Sequence, residues 1–141
     1  MRSFALLLVL LATFVYAYDP VHIDLLEDIV PTIEEETELD ILEDDKNMIR
    51  SEKKKKFDEI LAKEPENIKK LYAMELERAK LKHQAKFERK MARATDPVVK
   101  KYLQKVEEIN NDMSISDGEA QKKIKELKSK LTPMQRKQLK S

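Results

Sequence analysis

The sequence contains no cysteine and no tryptophan, and it has one glycine, Gly118, among its 141 residues. Without cysteine the chain cannot form the disulfide bonds that often stabilise small secreted domains, so the packing of its secondary structure must hold it together. A β fold built on tight turns needs more glycine than this, and 39% of the residues are charged. The composition therefore predicts an all-α protein, a small bundle of about four to six helices.

Long apolar runs are also scarce, and the one that occurs lies at the N-terminus. Arg2 precedes an apolar segment at 4–15 that only Thr13 interrupts, and Val15 and Ala17 form the small-residue pattern that signal peptidase recognises. The segment is shorter than the roughly 20 apolar residues that span a bilayer, and acidic residues follow it. Residues 1–17 are therefore predicted to be a cleaved signal peptide, so that a secreted, extracellular protein begins at or near Tyr18.

Positive charge is absent from the next part of the chain. Residues 19–45 contain twelve acidic residues and no lysine or arginine, whereas residues 46–141 contain 27 basic and 15 acidic residues. We therefore divide the mature chain into an acidic arm, 18–45, and a basic helical domain, 46–141. One interpretation is that the arm is solvated and folds partly back on the domain. The other is that it is a pro-segment, removed near the lysine run at 53–56.

Within the arm, apolar residues first recur at helical spacing and then become sparse. Val21, Leu25, Leu26 and Ile29 predict a short helix over about 20–30, which Pro31 ends. The remainder, 32–45, holds four apolar residues among many carboxylates, namely Ile33, Leu39, Ile41 and Leu42. This remainder is either disordered or docked on the basic domain through those four side chains.

Capping and proline signals divide the basic domain into five helices. The first is predicted over about 46–63 and the second from Pro65 to about Thr95. The third begins at Thr95-Asp96-Pro97, the fourth begins at Ser116, and the last is short and ends around Leu139. The signals are Asp44 or Asp45, Pro65, Thr95-Asp96-Pro97, the Ser116 and Glu119 capping box, and Thr132-Pro133-Met134-Gln135. The third of these helices has an apolar inner face that consists of Val99, Leu103, Val106 and Ile109.

The long helix at 66–95 carries two apolar stripes. The first consists of Ile68, Tyr72, Leu76, Ala79, His83, Phe87 and Met91, and the second of Leu71, Met74, Leu81, Ala85 and Ala92. An amphipathic helix normally buries one such face. The second stripe therefore predicts that this helix contacts partners on both sides.

The C-terminal part of the domain resembles a known family. An apolar-periodic helix ends at Ile109, a polar junction follows at 110–112, Ile115 and Ser116 with Glu119 begin the next helix, and that helix carries Ile124, Leu127 and Leu131. This stretch, 96–139, is similar to the end of the SXP/RAL family of secreted nematode antigens, which share an allergen-like cation-binding domain. The resemblance implies a small, secreted, all-α protein that is exposed to a host immune system, has no established enzymatic activity, and binds a divalent cation such as Mg²⁺ or Ca²⁺.

A cation would need several oxygen ligands near the junction. An EF-hand loop starting at Asn110 would require glycine and glutamate where this chain has Ile115 and Gln121, so the sequence excludes an EF-hand there. A looser metal site formed by Asp112, Asp117 and Glu119 is one interpretation. The other is that these residues only cap a helix and interact with its positive end.

Catalytic motifs are missing from the sequence. It has no nucleophilic cysteine, no G-x-S-x-G, no glycine-rich phosphate loop and no H-E-x-x-H, and its two histidines, His22 and His83, lie in different segments. His83 belongs to an apolar stripe, which favours a packed or surface role over that of a base or ligand. We therefore predict no enzyme, no catalytic residue and no cofactor-binding residue. Nucleic-acid binding is not expected either, since the acidic arm would compete for the lysines.

These observations predict a secreted, non-enzymatic helical binding protein. Its partner would be an extracellular or host ligand, host immune components included, and the protein would be a monomer or a weak oligomer. The alternative is a lipid-binding or membrane-active cationic protein that the acidic arm keeps inactive as a pro-segment. Neither interpretation involves stable insertion into a membrane.

Overall fold

The computed structural model describes residues 18–140, and all regular secondary structure in this range is helical. Seven helices follow one another: α1 (Asp24–Glu27), α2 (Ile33–Asp44), α3 (Arg50–Lys63), α4 (Glu66–Arg93), α5 (Pro97–Asn111), α6 (Asp117–Ser129) and α7 (Pro133–Lys137). The all-α class is confirmed. The predicted count of four to six helices is too low by one, because residues 32–45, for which disorder was one interpretation, form α2. The predicted signal peptide lies outside the described residues.

The helix α2 is stabilised at its start and anchored by two side chains near its end. The Thr32 hydroxyl accepts a hydrogen bond from the Glu35 N–H at 3.3 Å, and three glutamates in the first turn face the positive end of the helix dipole. Leu39 and Leu42 are buried, whereas Ile33 and Ile41 are exposed. The segment therefore docks through two of the four apolar residues that the sequence singled out.

The arm and the basic domain share one hydrophobic core. Its buried members are Val21, Ile23, Leu26, Leu39, Leu42, Phe57, Ile60 and Tyr72. Five of these eight residues precede residue 46, and the ring of Phe57 packs on that of Tyr72 with centroids 5.4 Å apart. Residues 18–45 thus contribute apolar packing as well as negative charge. The predicted helix at about 20–30 is shorter in the structure, because only four residues, α1, are helical.

A second core joins the C-terminal helices. Its buried residues are Ala94, Val99, Tyr102, Leu103 and Leu131, and partly buried side chains such as Phe87, Val106 and Leu127 surround them. These residues come from α4, α5, α6 and the segment that leads into α7. Burial of Val99 and Leu103 agrees with the inner face that the spacing of α5 predicts.

Local capping sets where most of the helices begin. Asp96 accepts a hydrogen bond from the Val98 N–H at 2.8 Å, and Ser116 accepts one from the Glu119 N–H at 3.1 Å. Thr132 and Gln135 form the reciprocal capping box. The start predicted near residue 46 is wrong by four residues, because the Asp45 carboxylate binds the N–H groups of Asn47 and Met48 in a turn before α3.

The two apolar stripes of α4 lie in different surroundings. Tyr72 is buried and the other members of the first stripe are half-buried, whereas every member of the second stripe is exposed. Contact on both sides of α4 is therefore not found within residues 18–140. None of the helices in this range is both long enough and apolar enough to cross a membrane.

Candidate functional site

The three predicted metal ligands do not converge. Asp112 accepts hydrogen bonds from the N–H and the hydroxyl of Ser114 at 2.9 and 2.6 Å, and Glu119 pairs with Lys123 at 3.3 Å. Asp117 is buried among basic side chains instead. Over residues 18–140 these three carboxylates are not among the sets of three that come within 4.8 Å of one another. The site at Asp112, Asp117 and Glu119 stays a prediction that this geometry does not support.

Asp117 lies at the centre of a buried ion cluster. Its two oxygens accept hydrogen bonds from Arg50 Nε and Lys53 Nζ, each at 2.8 Å. The side chains of Arg50 and Lys53 are 2% and 1% exposed, so water hardly reaches their charges. Burial alone would raise the pKa of Asp117, but the hydrogen bonds and positive charges of Lys53 and Arg50 outweigh it and hold the pKa below its usual value.

The same cations also bind the ends of two helices. The guanidinium of Arg50 donates to the carbonyl oxygens of Ile109 at 2.7 Å and Asp112 at 3.1 Å, where α5 ends. The ammonium of Lys53 donates to the Glu43 carbonyl at 3.0 Å, near the end of α2. Positive groups are favourable at helix C-termini, where the last carbonyl groups have no partner within the helix. The cluster therefore joins the starts of α3 and α6 to the ends of α2 and α5.

A bridge between two loops completes this junction. Ile49 and Ser116 form an isolated antiparallel bridge, and the Arg50 N–H donates to the Ile115 carbonyl at 3.0 Å. The Gly118 N–H donates to the Lys46 carbonyl at 2.9 Å. The Asp117 carboxylate itself has no free oxygen, since Arg50 and Lys53 already bind its two oxygens. The geometry is that of a structural centre.

Another set of carboxylates does come together, between α1 and α2. Oxygens of Glu27, Asp40 and Glu43 lie within 4.8 Å of one another. Burial, followed by the negative charges of Asp19, Asp24 and Glu27, raises the pKa of Glu43 to about 7. Glu43 therefore binds a proton near neutral pH, which lowers the repulsion among the three groups.

The two histidines lie close in space to Tyr18, the first residue that the structure describes. The Nε2 atom of His83 is 2.9 Å from both oxygens of Glu107, and the ring of Tyr18 stacks on the His83 ring with centroids 4.0 Å apart. The hydroxyl of Tyr18 is 3.4 Å from His22 Nε2, and burial lowers the pKa of His22. This arrangement packs Tyr18, the first residue of the predicted mature chain, against α4.

An open groove of about 420 Å³ lies between α2 and α3. Its apolar lining consists of Ile41, Leu42, Met48 and Ile60, and its charged lining of Glu38, Asp45, Lys56, Glu59 and Lys63. Pockets for small ligands typically measure roughly 300–1,000 Å³ and combine apolar walls with a few polar groups. The groove has this volume, but its lining combines four apolar side chains with five charged ones, so it is a candidate ligand site that is more polar than a typical pocket.

Comparisons with protein-family models, with curated proteins and with solved structures find no match to this chain. The resemblance to the SXP/RAL antigens therefore stays a prediction.

Sequence reasoning did not identify either the groove or the acidic set at Glu27, Asp40 and Glu43. Asp40 and Glu43 are three residues apart, a spacing that places two side chains on one face of a helix, so the sequence alone could have brought these two carboxylates together. Glu27 belongs to another helix, and nothing in the local sequence places it beside them. The groove depends on the packing of α2 against α3, for which the spacing of apolar residues in α2 was too sparse a guide.

Proposed function

We propose that the mature chain is a secreted, non-enzymatic binding protein, exposed to a host as the resemblance to the SXP/RAL antigens implies. Its ligand in this proposal is a small single-chain amphiphile. The groove between α2 and α3 is the observation that carries the proposal. An apolar chain lying against Ile41 and Met48, the apolar lining residues that are not fully buried, would be removed from water, which contributes roughly 25 cal/mol per Å² of apolar surface buried.

The charged lining supports a ligand with a polar end. Lys56 and Lys63 lie on α3 beside the apolar lining, at positions from which a carboxylate head group could be paired. Glu38 and Asp45 lie on the other side of the groove and Glu59 lies on α3 between the two lysines, so the head group must be small enough to pair with a lysine and avoid three carboxylates. A monocarboxylate with one alkyl chain meets both requirements. The absence of catalytic motifs from the sequence supports the non-enzymatic part of the proposal.

The structure weighs against the alternative in which the acidic arm is a removable pro-segment. Residues 18–45 supply Leu26 and Leu39 to a core with Phe57, so their removal would expose that core. The lysine run at 53–56 lies within α3, and Lys53 is buried in the ion cluster. Lys54, Lys55 and Lys56 are exposed, but a protease cleaves extended backbone and could therefore cut the run only after α3 had unwound.

Calorimetric titration of the mature protein with dodecanoate tests the proposed ligand class. Binding should be lost or strongly weakened by Ile41→Glu, which places a charge in the groove. The control Ile33→Glu changes an equally exposed residue of the same helix that does not line the groove, and it should bind like the parent protein. If dodecanoate does not bind, or if both variants bind equally well, the groove is not its site.

The divalent cation that the resemblance implies stays a separate prediction. Titration with Mg²⁺ or Ca²⁺, followed by the shift in thermal unfolding, measures it directly, because a ligand that binds only the folded state raises the unfolding temperature. No shift at millimolar cation would contradict it. That outcome would leave the proposed amphiphile binding unaffected.

A further inference from the structure

The second apolar stripe of α4 is exposed along its length. Leu81 is 68% exposed, and Leu71, Met74, Ala85 and Ala92 are also exposed. The opposite side of α4 packs on the rest of the protein through the first stripe. This surface is therefore apolar, helical and without a partner among residues 18–140.

The stripe has the spacing of a coiled-coil seam. Positions 71, 74, 78, 81, 85, 88 and 92 alternate steps of three and four, which is the pattern of a and d positions in a heptad repeat. All seven positions are exposed, and two of them are charged, Arg78 and Glu88. A strict a and d stripe is narrower than the apolar face of roughly 100° or more with which a surface helix packs on a core. The width therefore fits pairing with one other helix.

We propose that this seam binds the same seam of a second copy of the chain, with the two α4 helices antiparallel. In one antiparallel register Leu81 faces the partner subunit's Ala85, and Met74 faces the partner subunit's Ala92. Large side chains then lie against small ones, which lets two helices approach closely. Because the pair has two-fold symmetry, each of these contacts occurs twice.

Charge complementarity selects this register. The same alignment places Arg78 opposite the partner subunit's Glu88, so the two charged residues of the seam neutralise each other. Sliding one helix by a heptad would instead place Arg78 against the partner subunit's Leu81. A charge covered by an apolar side chain loses hydration without gaining a partner, which is costly.

Residues beside the seam modulate the pairing. In the same register Glu75 faces the partner subunit's Arg89, an attractive contact, whereas Lys82 lies near its own copy at the two-fold axis. The repulsion there is between exposed side chains, so it weakens the dimer modestly. A membrane surface is the less favourable occupant, because anionic head groups would pair with Arg78 but repel Glu88, whereas the register above pairs both charges.

Sedimentation equilibrium of the mature protein from about 1 μM to about 1 mM tests the proposal. We expect a monomer–dimer equilibrium in this range. Leu81→Lys should weaken the dimer by at least about tenfold, whereas Met134→Lys, at an apolar residue with 78% exposure on another helix, should leave it unchanged. Both substitutions are at exposed positions, so circular dichroism should show that each variant keeps the parent helix content.

Charge reversal tests the register itself. Arg78→Glu and Glu88→Arg should each weaken the dimer, because each places like charges opposite one another, and the double variant should restore the affinity to near that of the parent protein. The 3.2 Å pair between Arg78 and Glu75 within one chain is exposed, so its loss should not unfold the helix.

Two results would overturn the proposal. The first is a parent protein that stays monomeric throughout the concentration range; if that monomer binds vesicles of phosphatidylcholine and phosphatidylserine through Leu81, the seam is assigned to a membrane surface. The second is a double variant that dimerises no more strongly than the single variants.

Discussion

Arg50, Lys53 and Asp117 bring three charges into the interior of a protein that has no disulfide bond to stabilise it. Their charges are compensated because each oxygen of the carboxylate has a cationic partner and each cation also binds a backbone carbonyl. Buried ion pairs of this kind contribute little net stability compared with apolar packing, but losing one partner leaves a buried charge uncompensated. The cluster is therefore sensitive to the loss of any one of its three side chains.

Replacing Asp117 tests that sensitivity. Asp117→Asn should lower the free energy of unfolding by about 3–5 kcal/mol, because Arg50 and Lys53 would remain buried without a negative partner. The control Asp58→Asn removes an exposed pair with Lys54 and should cost less than about 1 kcal/mol. Urea denaturation measures both changes. Equal, small losses would show that the cluster is not an essential part of the fold.

Gly118 provides a second test, in which two physical effects predict opposite signs. Alanine is favoured over glycine in a helix by about 1 kcal/mol, so Gly118→Ala would stabilise α6 if nothing lay nearby. A Cβ atom there would lie 2.9 Å from the Lys46 carbonyl oxygen, a backbone atom that also accepts the Gly118 N–H. We therefore expect a loss of about 1–3 kcal/mol in urea denaturation. A gain in stability would show that the loop before α3 moves easily.

Glu43 makes stability depend on pH. Its pKa rises from 4.5 in the unfolded chain to about 7 in the folded protein, so the folded state binds more protons between these values. The contribution of Glu43 to the free energy of unfolding should therefore be most favourable below pH 4.5, decrease as pH rises towards 7, and stay low above it. Glu43→Gln should remove this decrease, so its melting temperature relative to the parent protein should rise over the same range.

Ile33→Ala serves as the control for that experiment, because Ile33 is an exposed residue of the same helix and has no ionisable group. Its melting temperature should differ from that of the parent protein by an offset that does not change with pH. If the Glu43 variant also gave a constant offset, its carboxyl group would titrate normally in the folded protein.

At the scale of single elements, α2 shows how a strongly acidic segment can be a structural helix. It places Leu39 in the core at 0% exposure, while Ile41, two residues further on, is 69% exposed. The carboxylates of α2 face mainly towards water, where their mutual repulsion is screened by salt. The helix is therefore held mainly by a few apolar contacts.

A pair of alanine substitutions in α2 separates docking from mere helix formation. Leu39→Ala should cost about 2–5 kcal/mol, since it removes a buried side chain from the shared core. Ile41→Ala should change stability by less than about 0.5 kcal/mol, because it truncates an exposed side chain. Thermal or urea denaturation can measure both values. Similar small effects would indicate that α2 does not contribute to the cooperative fold.

At the scale of the whole molecule, the opposite charges of residues 18–45 and 46–141 do not by themselves explain how the two parts associate. Five buried apolar residues of the first part lie in a common core with Phe57, Ile60 and Tyr72 of the second. Attraction between exposed charges is weakened by salt, whereas burial of apolar surface is not. Compactness should therefore be insensitive to salt, in contrast with an arm held by charge alone.

Small-angle scattering on the mature chain tests this expectation. The radius of gyration should stay constant between about 0.05 M and about 1 M sodium chloride, although the screening length falls to roughly 3 Å at the upper concentration. Leu39→Ala, which weakens the apolar contact, should make the chain expand more readily with salt. Expansion of the parent protein itself would mean that the acidic segment is held electrostatically.

Local patterns in the sequence determined the helical class and where several helices begin. Asp96, Ser116 and Thr132 cap the helices that follow them, because a cap is a hydrogen bond between residues two or three positions apart and is visible in the sequence. The inner face of α5 was predictable for the same reason, as its spacing follows the helical period. The start of α2 carried the same kind of signal, since Thr32 accepts a hydrogen bond from the Glu35 N–H, but its inner face was not predictable because only two of its four apolar residues are buried.

Only the tertiary structure decided which charged residues are buried and where the candidate sites lie. Arg50 and Lys53 occur in a stretch rich in charged residues that a sequence pattern assigns to solvent, yet their partner Asp117 lies 67 and 64 residues away. The carboxylate set of α1 and α2 and the groove between α2 and α3 were likewise not predictable from the sequence. Each of them depends on side chains from different helices meeting in space, and helical periodicity specifies the faces of single helices without specifying which faces meet.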